Sequence, residues 1–185
     1  MDPIRYNKSK RLREIGRNPY AAKFLRTQTL AEAKVSADTT PVSIAGRIVL
    51  MREMGKLTFA TLQDHTGRLQ IAFREEELGS DEYRTLHQTV DLGDFVGIHG
   101  ERFTTKKGEP TVRVAAWTML TKALRQPPEK WHGVQNRETA YRQRYLDTMS
   151  NRESFERFLF RSSFIKAMRE FYWSHDFVEV DIPVL

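Results

Sequence analysis

The 185 residues are 39% apolar and 29% charged, enough for a packed core in one domain, or in a small domain plus part of another. There is no cysteine, which excludes disulfide frameworks, thiolate catalysis and cysteine-based zinc sites. The net charge is +6, and residues 1–30 alone carry eight cations against two anions, so the excess sits at one end and suggests either an arm that meets a polyanion or a merely solvated basic helix, which charge alone does not separate.

Residues 8–17 read as a short basic helix stopped by Gly16, and Asn18-Pro19 breaks the chain after it. Residues 27–35 suggest a second helix, with Thr29 as its N-cap and Glu32 three residues on. From Pro41 to Thr121 the pattern changes to strands. Three β-rich runs (VSIAGRIVLMR, KLTFATLQD and RLQIAFR) precede a helix over 75–90, and two more (DFVGIHGERF and PTVRVAAWTML) follow it, joined by the hairpin TTKKGE. Three strands, a helix and two strands in this order match a five-stranded OB barrel. Glycines 46, 55, 93, 97 and 100 suit the bends of a small closed barrel.

Residues 122–140 read as a linker stiffened by Pro127-Pro128 and anchored by Trp131. A helix over 152–173 follows, with Phe155, Phe158, Leu159, Ser162, Ile165, Met168 and Tyr172 on one stripe. A strand, FVEVDIP, is expected over 177–183. The chain thus divides into a basic helical arm (1–38), a barrel (39–121), a linker (122–140) and the start of a further α+β domain (141–185). The class is mainly β with helices.

An OB barrel reads single-stranded nucleic acid across strands 2 and 3 and the adjoining loops. On that face Phe59 is a stacking aromatic, Gln70 a paired donor and acceptor, Arg52 a donor to a carbonyl or phosphate, and Glu109 an acceptor for an imino N–H. Each also has a plain alternative: Phe59 in the core, the other three merely solvated. Lys8, Lys10, Arg11 and Arg13 are candidates for phosphate contacts. Neither GxxxxGK[ST], GxSxG nor GxGxxG occurs, so no catalytic residue is assigned. The five histidines lack HxxxH or HExxH spacing, and no metal site is expected. Neither an 18-residue apolar run nor a secretory h-region is present, so the expected location is the cytoplasm.

Several blocks together resemble lysyl-tRNA synthetases: LREIG and NPY in the arm, GKLTFATLQDHTGRLQ (55–70), DLGDFVGIHGERFTTKKGE (91–109), LTKALRQPPEKWHGVQNRETAYRQRYLD (120–147) and FVEVDIPVL (177–185). The resemblance implies a class II synthetase with an OB anticodon-binding domain ahead of an antiparallel catalytic domain. It carries Arg52, Phe59, Gln70 and Glu109 over as anticodon-reading residues for tRNA(Lys). It makes residues 152–183 motif 1, which builds a homodimer interface in this family, here through Phe158, Ile165, Phe177 and Pro183. Asp176 and Ile182 depart from the family's usual residues there, as does Thr148 after the YLD run. It also implies a ligase that uses ATP and Mg2+ through a lysyl-adenylate, with motifs 2 and 3 beyond Leu185, so that residues 1–185 alone are expected to be inactive. No DNA or membrane partner is expected. The alternatives are a stand-alone OB-fold tRNA-binding module or regulatory paralogue, and a general single-strand-binding protein.

Overall fold

The computed structural model describes residues 2–128, 134 and 136–183. They fall into two compact units, divided after Gln126.

The first unit opens with α1 (Pro3–Glu14), which starts five residues earlier than the expected helix over 8–17. The reason lies in Asp2-Pro3: the Asp2 carboxylate accepts the Ile4 N–H at 2.9 Å, and proline occupies a position whose own N–H a helix does not use. The helix ends at Glu14, and Gly16 turns the chain away at φ +76°. Helix α2 (Leu30–Val35) carries a complete capping box. Thr29 Oγ1 accepts from the Glu32 N–H, and the Glu32 carboxylate accepts from the Thr29 N–H at 2.7 Å.

Five strands follow: β1 (Pro41–Met54), β2 (Leu57–Gln63), β3 (Arg68–Arg74), β4 (Phe95–Thr104) and β5 (Pro110–Thr121). They pair in the order β1-β2-β3-β5-β4, and β4 returns to β1, so the ring closes. Only β3 and β5 run parallel. Alternation decides what points inward. Thr58, Ala60 and Leu62 of β2 and Leu69, Ile71 and Phe73 of β3 are buried, with Ile44, Ile48, Ile98, Val112 and Val114 from the other strands. Two glycines allow close approaches to β4, Gly100 that of the neighbouring strand and Gly97 that of the Phe24 ring packed on it. A Cβ on Gly100 would collide with the Arg113 carbonyl oxygen, at the β4–β5 register shift, and one on Gly97 would collide with the Phe24 ring.

Between β3 and β4 the expected helix over 75–90 is two helices, α3 (Glu75–Leu78) and α4 (Ser80–Thr89). Gly79, at φ +82° and ψ 151°, breaks the axis while the apolar spacing of Tyr83, Leu86 and Val90 runs on. Helix α4 closes the barrel end: the Tyr83 hydroxyl meets Thr58 Oγ1 at 2.8 Å and donates to the Gly55 carbonyl at 2.9 Å. Below the start of β4, Lys122 is 2% exposed and donates to Asp91 at 2.5 Å and Asp94 at 2.7 Å, while Lys8 donates to the other Asp91 oxygen at 2.6 Å. This cluster ties α1 and the chain leaving β5 to one turn.

The second unit holds α5 (Arg137–Arg142), α6 (Arg144–Ser150) and α7 (Arg152–Trp173). The expected linker over 122–140 is therefore shortened by α5, whose N-cap is Asn136, and Trp131 lies outside the described residues. Asp147 is buried, accepts from Arg144 at 3.1 Å and from Ser154 Oγ at 3.1 Å, and so pins α6 to α7. Residues 177–183 form no strand. Extended chain becomes a strand only by pairing, and none of the strands among the described residues pairs with it.

Candidate nucleic-acid interface

The outward side chains of the barrel fall into rows across the strands. One row runs Arg52–Phe59–Ala72–Arg113–Glu101 over β1, β2, β3, β5 and β4. The next runs Leu50–Thr61–Gln70–Thr111–Phe103. Phe59 is thus directly opposite Arg52, and Gln70 lies one row away on the same face. Phe59 is half-buried and points out between the buried Thr58 and Ala60, so it is not one of the core aromatics. Part of its surface is therefore accessible, which is what stacking on a base requires.

Gln70 and Glu109 are linked through a third residue. The Gln70 amide nitrogen donates to Thr111 Oγ1 at 2.9 Å, and the Thr111 hydroxyl donates to the Glu109 carbonyl at 3.1 Å. Glu109 is exposed at the neck of a hairpin in which its N–H reaches Thr105 Oγ1 at 3.0 Å and Gly108 takes φ +82°. Thr111 is fully buried, so the hydroxyl that orients Gln70 is itself fixed. The four residues singled out in the sequence therefore share one side of the barrel. Thr111, Arg113 and Phe103 join them there, and the sequence reading missed all three. Their signal was the two-residue alternation of β4 and β5 on either side of the hairpin.

The β2–β3 turn that fixes the register of this face is organised by Asp64. Its Oδ1 accepts from the Thr66 N–H, Thr66 Oγ1 and the Gly67 N–H, and its Oδ2 accepts from the Leu30 N–H at 3.0 Å. Burial raises the pKa of this carboxyl, but the hydrogen bonds outweigh it and hold the group below the ordinary aspartate range.

The four α1 cations are disposed differently. Lys8 is committed to Asp91, whereas Lys10, Arg11 and Arg13 are exposed, with Lys10 4.8 Å from the Tyr6 ring centre. Helix α1 docks at the turn that enters β4, where Arg5 donates to the Leu92 carbonyl. Glu109 lies past the other end of β4, and ten residues of strand span about 30 Å. The basic arm therefore lies well away from the Glu109 hairpin.

In the second unit Phe158 is half-buried under the Arg144 guanidinium at 5.1 Å, Ile165 and Phe177 are exposed, and Pro183 is exposed at the end of the described chain. Phe160, Phe164, Phe171 and Trp173 are exposed as well, so apolar surface extends round the helix beyond the single stripe expected from spacing. Among the described residues no three His, Asp or Glu side chains group as a metal site, and no helix is long and apolar enough to cross a membrane.

Residues 42–120 match the family of OB-fold nucleic acid binding domains, and residues 136–185 match the class II tRNA synthetases for D, K and N. The curated lysine–tRNA ligase of Enterococcus faecalis is 43% identical over 192 residues, which takes in 98% of this chain and 38% of that protein. The ligase of Carboxydothermus hydrogenoformans is 44% identical over 186 residues, with the same coverage. That of Magnetococcus marinus is 42% identical over 183 residues, covering 94% of this chain and 36% of its own length. By sequence the chain is similar to lysine–tRNA ligases over nearly its whole length. It spans a little over a third of the length of the lysine–tRNA ligases it matches. Within that span the family's OB domain is the barrel, and the class II match begins at Asn136, the N-cap of α5.

Proposed function

We propose that the outward face of the barrel reads the anticodon of tRNA(Lys), as part of a lysine–tRNA ligase that joins lysine to tRNA through a lysyl-adenylate. The observation that carries this reading is the two-row placement of Arg52, Phe59 and Gln70 on one face, with Glu109 tied to Gln70 through Thr111. Phe59 stacks on a base. Arg52 beside it donates to that base or its phosphate. Gln70, held by Thr111, offers its amide to a pyrimidine edge, and Glu109 accepts an imino N–H from the next nucleotide. Lys10, Arg11 and Arg13 meet phosphates further along the RNA, at the distance set by the length of β4. The exposed apolar surface of α7, with Phe177 after it, is the face on which a second copy of the ligase packs, giving a homodimer.

The ATP and Mg2+ of the ligase reaction do not fit the residues present: the described residues offer no acidic or histidine cluster for the metal, and the sequence no Gly-rich phosphate loop. No step through them is assigned to this chain, and tRNA is the substrate its residues meet.

Phe59→Ala tests the face directly. Fluorescence anisotropy with a labelled tRNA(Lys) anticodon stem-loop is expected to show binding weakened by about 1–3 kcal/mol through the absence of stacking. Equal affinity of wild type and variant would show that this face does not bind the RNA.

A further inference from the structure

We propose that Arg113 is a further specificity-determining residue, reading a carbonyl acceptor on the base next to the one stacked on Phe59. This role rests on the anticodon-reading function of the barrel face and extends it by one nucleotide. Arg113 stands in the same row as Arg52 and Phe59, two strands from Phe59 with only Ala72 between them. Neighbouring strands lie about 4.8 Å apart, so the backbones of Phe59 and Arg113 are about 10 Å apart across the row. The alanine between them is the smallest side chain in that row. Ala72 is itself buried beneath its neighbours, so a base on the Phe59 ring has its own neighbour placed beside the part-exposed Arg113 guanidinium.

The guanidinium is held in place. It lies 5.3 Å from the centre of the Phe103 ring, which comes from the adjoining row on β4. It pairs loosely with Glu77 of α3, whose Oε1 is 3.5 Å from Nε, and that buried Nε has no hydrogen-bond partner among the described residues. The side chain as a whole remains 38% exposed. A planar donor fixed on an aromatic ring, and only loosely engaged by an acid, presents its terminal N–H groups in one direction. That arrangement suits an acceptor on a base edge better than a freely rotating ammonium would. Phosphate contacts fall instead to the exposed hairpin lysines, Lys106 and Lys107.

The test uses the full 185-residue chain with Arg113→Gln, Arg113→Lys and Glu77→Gln, and Phe59→Ala in parallel. Each is titrated by anisotropy against a tRNA(Lys) anticodon stem-loop and loops substituted at one anticodon position at a time, after thermal melts confirm folding. Arg113→Gln is expected to weaken binding of the unsubstituted loop by about five- to fiftyfold and to abolish discrimination at a single loop position. Arg113→Lys, which keeps the charge but not the paired donors, is expected to abolish the same discrimination, and Glu77→Gln to bind as well as wild type or better. Unchanged binding by Arg113→Gln would overturn the proposal. So would an equal weakening on every loop with a shallower salt dependence, which marks a phosphate contact, or a matching weakening in Glu77→Gln, which marks a purely structural ion pair. If Phe59→Ala weakens binding while Arg113→Gln does not, only the role of Arg113 fails. If neither has an effect, the assignment of the face fails with it.

Discussion

Asp64 shows how a single polar side chain sets the geometry of the β2–β3 face. One carboxylate both closes the β2–β3 turn and accepts the first N–H of α2. Asp64→Asn keeps the shape but removes the charge and one acceptor. It is expected to lower stability in urea by about 1.5–3 kcal/mol at neutral pH, the range for hydrogen bonds to a charged group. The folded pKa of Asp64 lies below its unfolded value, so its contribution is fully present above the unfolded pKa and disappears as pH falls through the folded one. The stability gap between wild type and Asp64→Asn should therefore close below about pH 4, the unfolded aspartate value. A gap that stays constant down to about pH 2 would show that the charge contributes nothing. The sequence displayed Asp64 as part of a turn, DHTG, but its reach across 34 residues to Leu30 has no local signature.

Elements were legible where local chemistry and tertiary packing agree. The five strands match the runs read from alternation to within two residues at either end, and the capping box of Thr29 and Glu32 forms as spaced. The misses have physical causes. Helix α1 starts at Pro3 because Asp2 caps it, a signal outvoted by the basic run further on. The 75–90 helix breaks at Gly79, since apolar spacing alone continues across a glycine at positive φ. Residues 177–183 are rich in β-formers but pair with no strand among the described residues, and pairing is not a property of the segment itself. Gly100 illustrates a constraint visible only in three dimensions. Gly100→Ala must push the β5 backbone at Arg113 away from β4, and is expected to cost about 1–3 kcal/mol or more in chemical denaturation. A neutral result would mean the bulge relaxes freely. For α1, Lys10→Ala with Arg11→Ala should weaken binding of all RNA loops alike. The slope of log K against log salt should become shallower by roughly 0.7–0.9 for each phosphate no longer neutralised. Weakening confined to one anticodon sequence would instead make these residues base readers.

At the scale of the molecule the barrel and the helical unit are two compact bodies, and their sequences match two different families. The candidate site was legible as four residue types on one face because strand alternation places them, while Thr111, Arg113 and Phe103 became visible only once β5 was seen to pair with both β3 and β4. On the proposed reading, specificity depends on the rows as a unit: stacking at Phe59 would supply affinity, and Gln70, Glu109 and their fixed neighbours would choose among bases. The most direct test is anisotropy of residues 1–185 with an anticodon stem-loop carrying UUU and the same loop carrying GUC, at one salt concentration. Clearly tighter binding to UUU is the predicted result. Equal binding of the two loops would contradict the claim that this face reads the lysine anticodon.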